Sequence, residues 1–169
     1  HARPQANAAY LRGLLGAQAT AIRPLDYGGG NGLLSRLLVD AGWNSTSYDP
    51  YYDDAPDIAA LPRFDLITAF EVFEHVPDVQ ALMTDLNALL EPDGVILFST
   101  MVSDGHIPAS GALTWWYAAP RNGHISLYSR DSLYFLAAAK GMHFGSYSPN
   151  LHVFWRTVPA WAARFLDGS

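Results

Sequence analysis

Glu71, Glu74 and His75 are spaced at i, i+3 and i+4, and His124 follows downstream in Arg121-Asn122-Gly123-His124-Ile125-Ser126. If the chain turns helically after residue 70, the first three side chains share one face. Two carboxylates and an imidazole converging there can hold a hard or borderline divalent ion, with His124 closing the site from a loop. Glu71, Glu74, His75 and His124 are therefore the candidate metal ligands. Without a metal, His124 is a candidate general base for a hydroxyl, because imidazole titrates near working pH, and Glu71 and His75 stand beside it. The same run also fits local hydrogen bonding that merely orders a loop.

A second constellation lies upstream, in Leu25-Asp26-Tyr27-Gly28-Gly29-Gly30-Asn31-Gly32. Glycines at a strand-to-helix turn allow positive φ and let the backbone approach a ligand with no Cβ in the way. The helix N-terminus that follows suits an anionic group such as a carboxylate. A dinucleotide fingerprint beginning at Gly28 needs Gly or Ala at position 33, and Leu stands there, which argues against NAD. Asp49, in Tyr48-Asp49-Pro50, is placed to accept both ribose hydroxyls of a nucleoside.

These residues need elements to carry them. Short apolar runs alternate with helical stretches, the pattern of an α/β sheet. Strands are expected at Ile22–Tyr27, Trp43–Tyr48, Phe64–Phe70 and Val95–Ser99, with a terminal hairpin of Met142–Tyr147 and Leu151–Thr157. Helices are expected over 6–20, after Gly32, over 79–90 with Pro92-Asp93-Gly94 closing it, and after a Ser129 cap. Residues 101–123 are irregular and aromatic-rich and read as a loop or lid insert in one domain spanning 1–169, with Trp115, Trp116 and Tyr117 either closing over an acceptor or covering the edge of the sheet.

Composition narrows the partners. Ten Lys and Arg face 16 Asp and Glu for a net charge of −6, so no basic footprint for nucleic acid is present. With no cysteine, thiolate catalysis and Cys-type metal sites are excluded. No apolar run suits a membrane span. The first residues, His1-Ala-Arg-Pro, hold neither a Met nor a signal sequence and read as a trimmed edge. A cytoplasmic protein is expected.

Taken in order, Asp26 to Gly32, Tyr48-Asp49-Pro50, Phe64-Asp65-Leu66-Ile67, Glu71-Val72-Phe73-Glu74-His75-Val76 and Leu90-Glu91-Pro92-Asp93-Gly94 resemble the motifs of class I S-adenosylmethionine-dependent methyltransferases. The resemblance implies a Rossmann-like, mostly parallel sheet ending in an antiparallel hairpin. It implies that Asp26, Gly28, Gly29, Gly30 and Gly32 hold the methionine end of the cofactor, that Asp49 with Pro50 holds the ribose, and that Phe70 lines the pocket. The Glu-x-x-Glu-His run with a later His is similar to that of the ubiquinone-biosynthesis O-methyltransferases and small-RNA 2′-O-methyltransferases, which implies magnesium or manganese beside the acceptor. One departure stands out: fourteen residues separate Asp49 from Phe64, too few for a helix, a strand and a return. The family sheet's third strand is therefore expected to be short or missing, leaving only Asp57 as a weak adenine-side acid. The function expected is methyl transfer to a small molecule, with oxygen the preferred acceptor. The alternative is an idle S-adenosylmethionine-binding protein that regulates or scaffolds a partner.

Overall fold

The computed structural model describes residues 2–168. Helix α1 (Ala2–Leu15) runs into a 3-10 turn and is followed by β1 (Pro24–Tyr27), α2 (Leu33–Asp40) and β2 (Thr46–Tyr48). Then come β3 (Phe64–Phe70), α3 (Val79–Leu89), β4 (Leu90–Ser99), α4 (Arg130–Ala139), β5 (His143–Ser148), β6 (Leu151–Trp155) and the short α5 (Ala163–Leu166). The sheet order is β2-β1-β3-β4-β6-β5. The first four strands are parallel, and β6 runs antiparallel to both β4 and β5.

Helices cover both faces. Along β4 the side chains alternate as a pleat requires. Ile96 and Phe98 pack with Leu82, Met83 and Leu86 of α3 and Leu133 of α4. Val95 and Leu97 pack with Leu11 of α1, Leu34 of α2 and Phe165 of α5. A strand buried on both faces explains the unbroken apolar run at 95–98.

Chain order reverses beside β1, where β2 lies on one side and β3 on the other. The carboxyl ends of β1 and β3 therefore flank the crevice in which open α/β sheets place ligands. The glycine loop leaves β1 there, and Glu71 leaves β3 there.

Between β2 and β3 the described residues hold a 3-10 turn, Ile58–Ala60, and no strand. The family sheet's third strand is absent, as its fourteen-residue allowance implied, and β2 stays at the edge. Other boundaries moved. Strands β1 and β2 start later than their apolar runs, because Ile22 and Trp43 fill the α1/α2 core instead of pairing. Pro92-Asp93-Gly94 does not close a helix; α3 stops at Leu89 and β4 starts at once with Leu90 paired to Phe64. A register shift follows before Leu66 meets Val95. Gly94 sits at that irregularity, where a Cβ would come 2.7 Å from Leu90 Cδ1.

Ser129 caps α4 as expected. Its Oγ accepts from Ser132 N at 3.1 Å, and Ser132 Oγ accepts from Ser129 N at 2.9 Å. Ser129→Ala is expected to cost about 1 kcal/mol in a urea melt, because one helix N–H loses its partner.

Candidate active site

Alternate glycines of the loop after β1 take left-handed backbone, with Gly28 at φ 71°, Gly30 at 56° and Gly32 at 70°. Gly28 and Gly29 also have no room for a side chain. A Cβ on Gly28 would lie 2.6 Å from Val72 Cγ2, and one on Gly29 would lie 2.6 Å from Asp26 Oδ2. The loop is thus pressed against the carboxylate that precedes it.

A cavity of about 660 Å³ opens over this loop, with Asp26, Gly28, Gly29, Phe70, Glu71 and Ser99 in its wall. A neighbouring hollow of about 690 Å³ takes Gly30, Gly32 and Asp49. The two share Asn31 and Leu33, so the loop is the ridge between them. Asp49 Oδ2 accepts from Gly30 N and Oδ1 from Tyr51 N, each at 3.0 Å. Each oxygen keeps a further lone pair for a ligand hydroxyl. Pro50 is exposed and lines neither hollow. Asp57 caps its own turn, accepting from Ala59 N at 2.9 Å, and lines neither hollow.

Asp26 is 5% exposed. Burial pushes its carboxyl up to about 7, against the pull of the Thr68 hydroxyl at 3.3 Å, and nearby Asp49 adds to the rise.

Arg3, on the first turn of α1, lines the 660 Å³ cavity and is ion-paired with Glu71. Nothing local in the sequence marks it, because it reaches the site across a separation of 68 residues.

Glu71 does not join the cluster expected of it. It is the positive-φ non-glycine residue among those described, at 56°, with its N–H donated to Ser99 Oγ at 2.8 Å. That left-handed residue breaks the helical course assumed for 71–75, and the turn begins only at Phe73 (Phe73–His75). Glu71 therefore faces the cavity, while Glu74, His75 and His124 come together with one ligand atom of each within 4.8 Å of the others.

Glu74 is fully buried. Its Oε1 accepts from Tyr117 at 2.7 Å, and its Oε2 has no partner. Each imidazole spends Nδ1 on a backbone carbonyl: His75 on Gly123 at 3.0 Å and His124 on Tyr117 at 2.8 Å. A carbonyl can only accept, so Nδ1 carries a proton on both rings, and in the neutral imidazole Nε2 is the nitrogen with the lone pair. Glu74 follows Glu71 of the cavity wall by three residues, and the cluster is tied through Tyr117 to Met101, two residues on from Ser99 of that wall.

The aromatic insert divides. Trp115 and Tyr117 are buried, whereas Trp116 is exposed. His152 is a core residue, between Thr100 O at 2.9 Å and Ser146 Oγ at 3.0 Å, and burial lowers it to about 4.

The profile of a family described as "Methyltransferase domain" matches residues 1–143. The chain belongs to that family. With its parallel sheet and antiparallel end, it is a class I S-adenosylmethionine-dependent methyltransferase domain. Curated relatives include the ubiquinone biosynthesis O-methyltransferase of Actinobacillus pleuropneumoniae serotype 7, 32% identical over 46% of this chain and 44% of that protein. The Coxiella burnetii protein of the same name is 34% identical over 46% of this chain and 42% of its own length. The methyltransferase domain thus aligns with under half the length of these relatives.

Solved structures share the fold. TnmH superposes with a TM-score of 0.60 at 20% identity, over 92% of this chain and 57% of its own. A Burkholderia thailandensis N1-methyltransferase of 1,6-didemethyltoxoflavin, solved with S-adenosylhomocysteine, gives 0.60 at 18% identity, over 92% and 78%. No helix of the described residues is long and apolar enough to cross a membrane.

Proposed function

We propose that this methyltransferase domain transfers the methyl group of S-adenosylmethionine to a hydroxyl of a small molecule. The observation that carries the reading is the convergence of Glu74, His75 and His124, in a run that begins three residues on from Glu71 in the wall of the crevice lined by Asp26 and the glycine loop. The relatives' names, O-methyltransferases, support oxygen as the acceptor. When bound, S-adenosylmethionine supplies an electrophilic methyl group on a positively charged sulfur.

The chain's residues hold and orient. Asp26 would hold the amino group of the methionine end, and the loop N–H groups and Arg3 would hold its carboxylate. Asp49 would hold the ribose hydroxyls. Phe70 gives the cavity an apolar wall, and Glu71 holds Arg3 at its rim. On the acceptor side, His124 presents Nε2 to the hydroxyl proton, with His75 and Glu74 beside it.

The cluster also fits a divalent cation. Two imidazoles with free Nε2 and a buried carboxylate oxygen without a partner form a mixed N/O donor set, which suits manganese or another borderline ion better than magnesium. Such an ion would polarise the acceptor hydroxyl.

Calorimetry with S-adenosylmethionine, S-adenosylhomocysteine and NAD tests the cofactor half. Both sulfur compounds should bind and NAD should not; Asp49→Ala should weaken binding by about 1–3 kcal/mol, through loss of charge-assisted contacts. Tight NAD binding alone would sink the assignment. Mass spectrometry of a panel of phenols and alcohols tests the acceptor half. Cofactor binding with no methylated product from any acceptor would favour the idle, scaffolding alternative.

A further inference from the structure

We infer that Tyr117, in the lid insert, is the positioning residue that aims Glu74 and His124 at their common point. The inference rests on the divalent-cation reading of the cluster.

Tyr117 is only 4% exposed, and its hydroxyl sits in a defined set of partners. It accepts from the backbone N–H of Met101 at 3.2 Å and lies 3.3 Å from the Thr100 hydroxyl. Because an amide N–H can only donate, the phenol's own proton is free to go to Glu74 Oε1, 2.7 Å away. Among the described residues that is the one hydrogen bond to the Glu74 carboxylate, which is otherwise buried without compensation. An unpaired buried carboxylate is costly, so the Tyr117 bond selects the conformation in which Oε1 is satisfied and Oε2 is left without a protein partner.

The same residue acts on His124 through its main chain. Its carbonyl takes Nδ1 of that ring, and the two rings lie 4.2 Å apart, which fixes both tautomer and tilt. One residue therefore addresses two of the three donors. The backbone of the same lid segment serves the third, through Gly123 O and His75. A partner of this kind, one shell away from a metal, commonly governs affinity by 10–100-fold.

Tyr117→Phe keeps the ring and the carbonyl and deletes only the hydroxyl. Titration with Mn²⁺ alone, followed by calorimetry, should show affinity weakened about 10–100-fold. Affinity for S-adenosylhomocysteine should stay unchanged, which general loosening of the fold would not allow. Mn²⁺ affinity equal to wild type in a folded Tyr117→Phe overturns the inference and leaves the cation reading standing. A wild-type protein that takes up no Mn²⁺ overturns the cation reading and this inference with it. Should Tyr117→Phe melt too low to titrate, Glu74→Gln is added to it. A neutral amide is cheaper to bury than a carboxylate, so the double variant should regain most of the lost melting temperature if the hydroxyl serves Glu74. No regain would mean that Tyr117 acts elsewhere, and would overturn the inference.

Discussion

Affinity for S-adenosylhomocysteine is expected to climb about 100-fold between pH 5 and pH 7 and then level off, with Asp26 as its cause. Burial pushes this carboxyl up to about 7, and Asp49 raises it further while the Thr68 hydroxyl works the other way. Below that value the empty site holds a neutral acid, which cannot pair with an ammonium group. Binding must then expel a proton, at a cost of about tenfold in affinity per pH unit. Stability runs in the opposite direction across the same window. The unfolded carboxyl ionises near 4, whereas the folded one keeps its proton to about 7. The folded state binds more protons in between, so the contribution is fully present below pH 4 and is lost as pH rises through 7, by at most about 4 kcal/mol. Asp26→Asn should flatten both curves. Calorimetry and urea melts at pH 5, 6, 7 and 8 decide the matter. Affinity that stays level over that range would remove Asp26 from the amino group.

The glycine loop and its flanking acids were legible because punctuation carried them. Three glycines alternating with other residues after an apolar run leave little choice of backbone, and the loop has the left-handed turns that such spacing needs. The missing family strand was legible by counting residues, since length is a hard geometric limit. Glu71 was misread for the opposite reason. Its left-handed backbone is held by Ser99, 28 residues away, and no glycine in Phe70-Glu71-Val72 announces it. Such a residue costs about 1–3 kcal/mol, and such costs gather where a side chain must be aimed at a site. Arg3 and Tyr117 escaped because they reach Glu71 and Glu74 by tertiary contacts over 68 and 43 residues. The start of β4 at Leu90 escaped because helix and strand follow with no loop between them, and Pro92-Asp93-Gly94 reads as a stop when it is an irregular strand.

His124→Ala should lower turnover about 10²–10⁴-fold while leaving S-adenosylhomocysteine affinity unchanged. With Nδ1 committed to the Tyr117 carbonyl, Nε2 is the nitrogen left to take a proton or hold a cation under the proposed function. The companions of the variant separate these roles. If Glu74, His75 and His124 hold a cation, a chelator abolishes wild-type turnover and Mn²⁺ restores it, and Glu74→Gln is as damaging as His124→Ala. If His124 is a base alone, chelation changes nothing and Glu74→Gln costs much less. A third pattern, with every variant folded and turning over normally, would assign the cluster to ordering the lid. The buried orphan oxygen of Glu74 argues against that third pattern. A carboxylate kept only for structure would be better replaced by an amide or an apolar residue, since its burial costs free energy that one tyrosine bond does not offset.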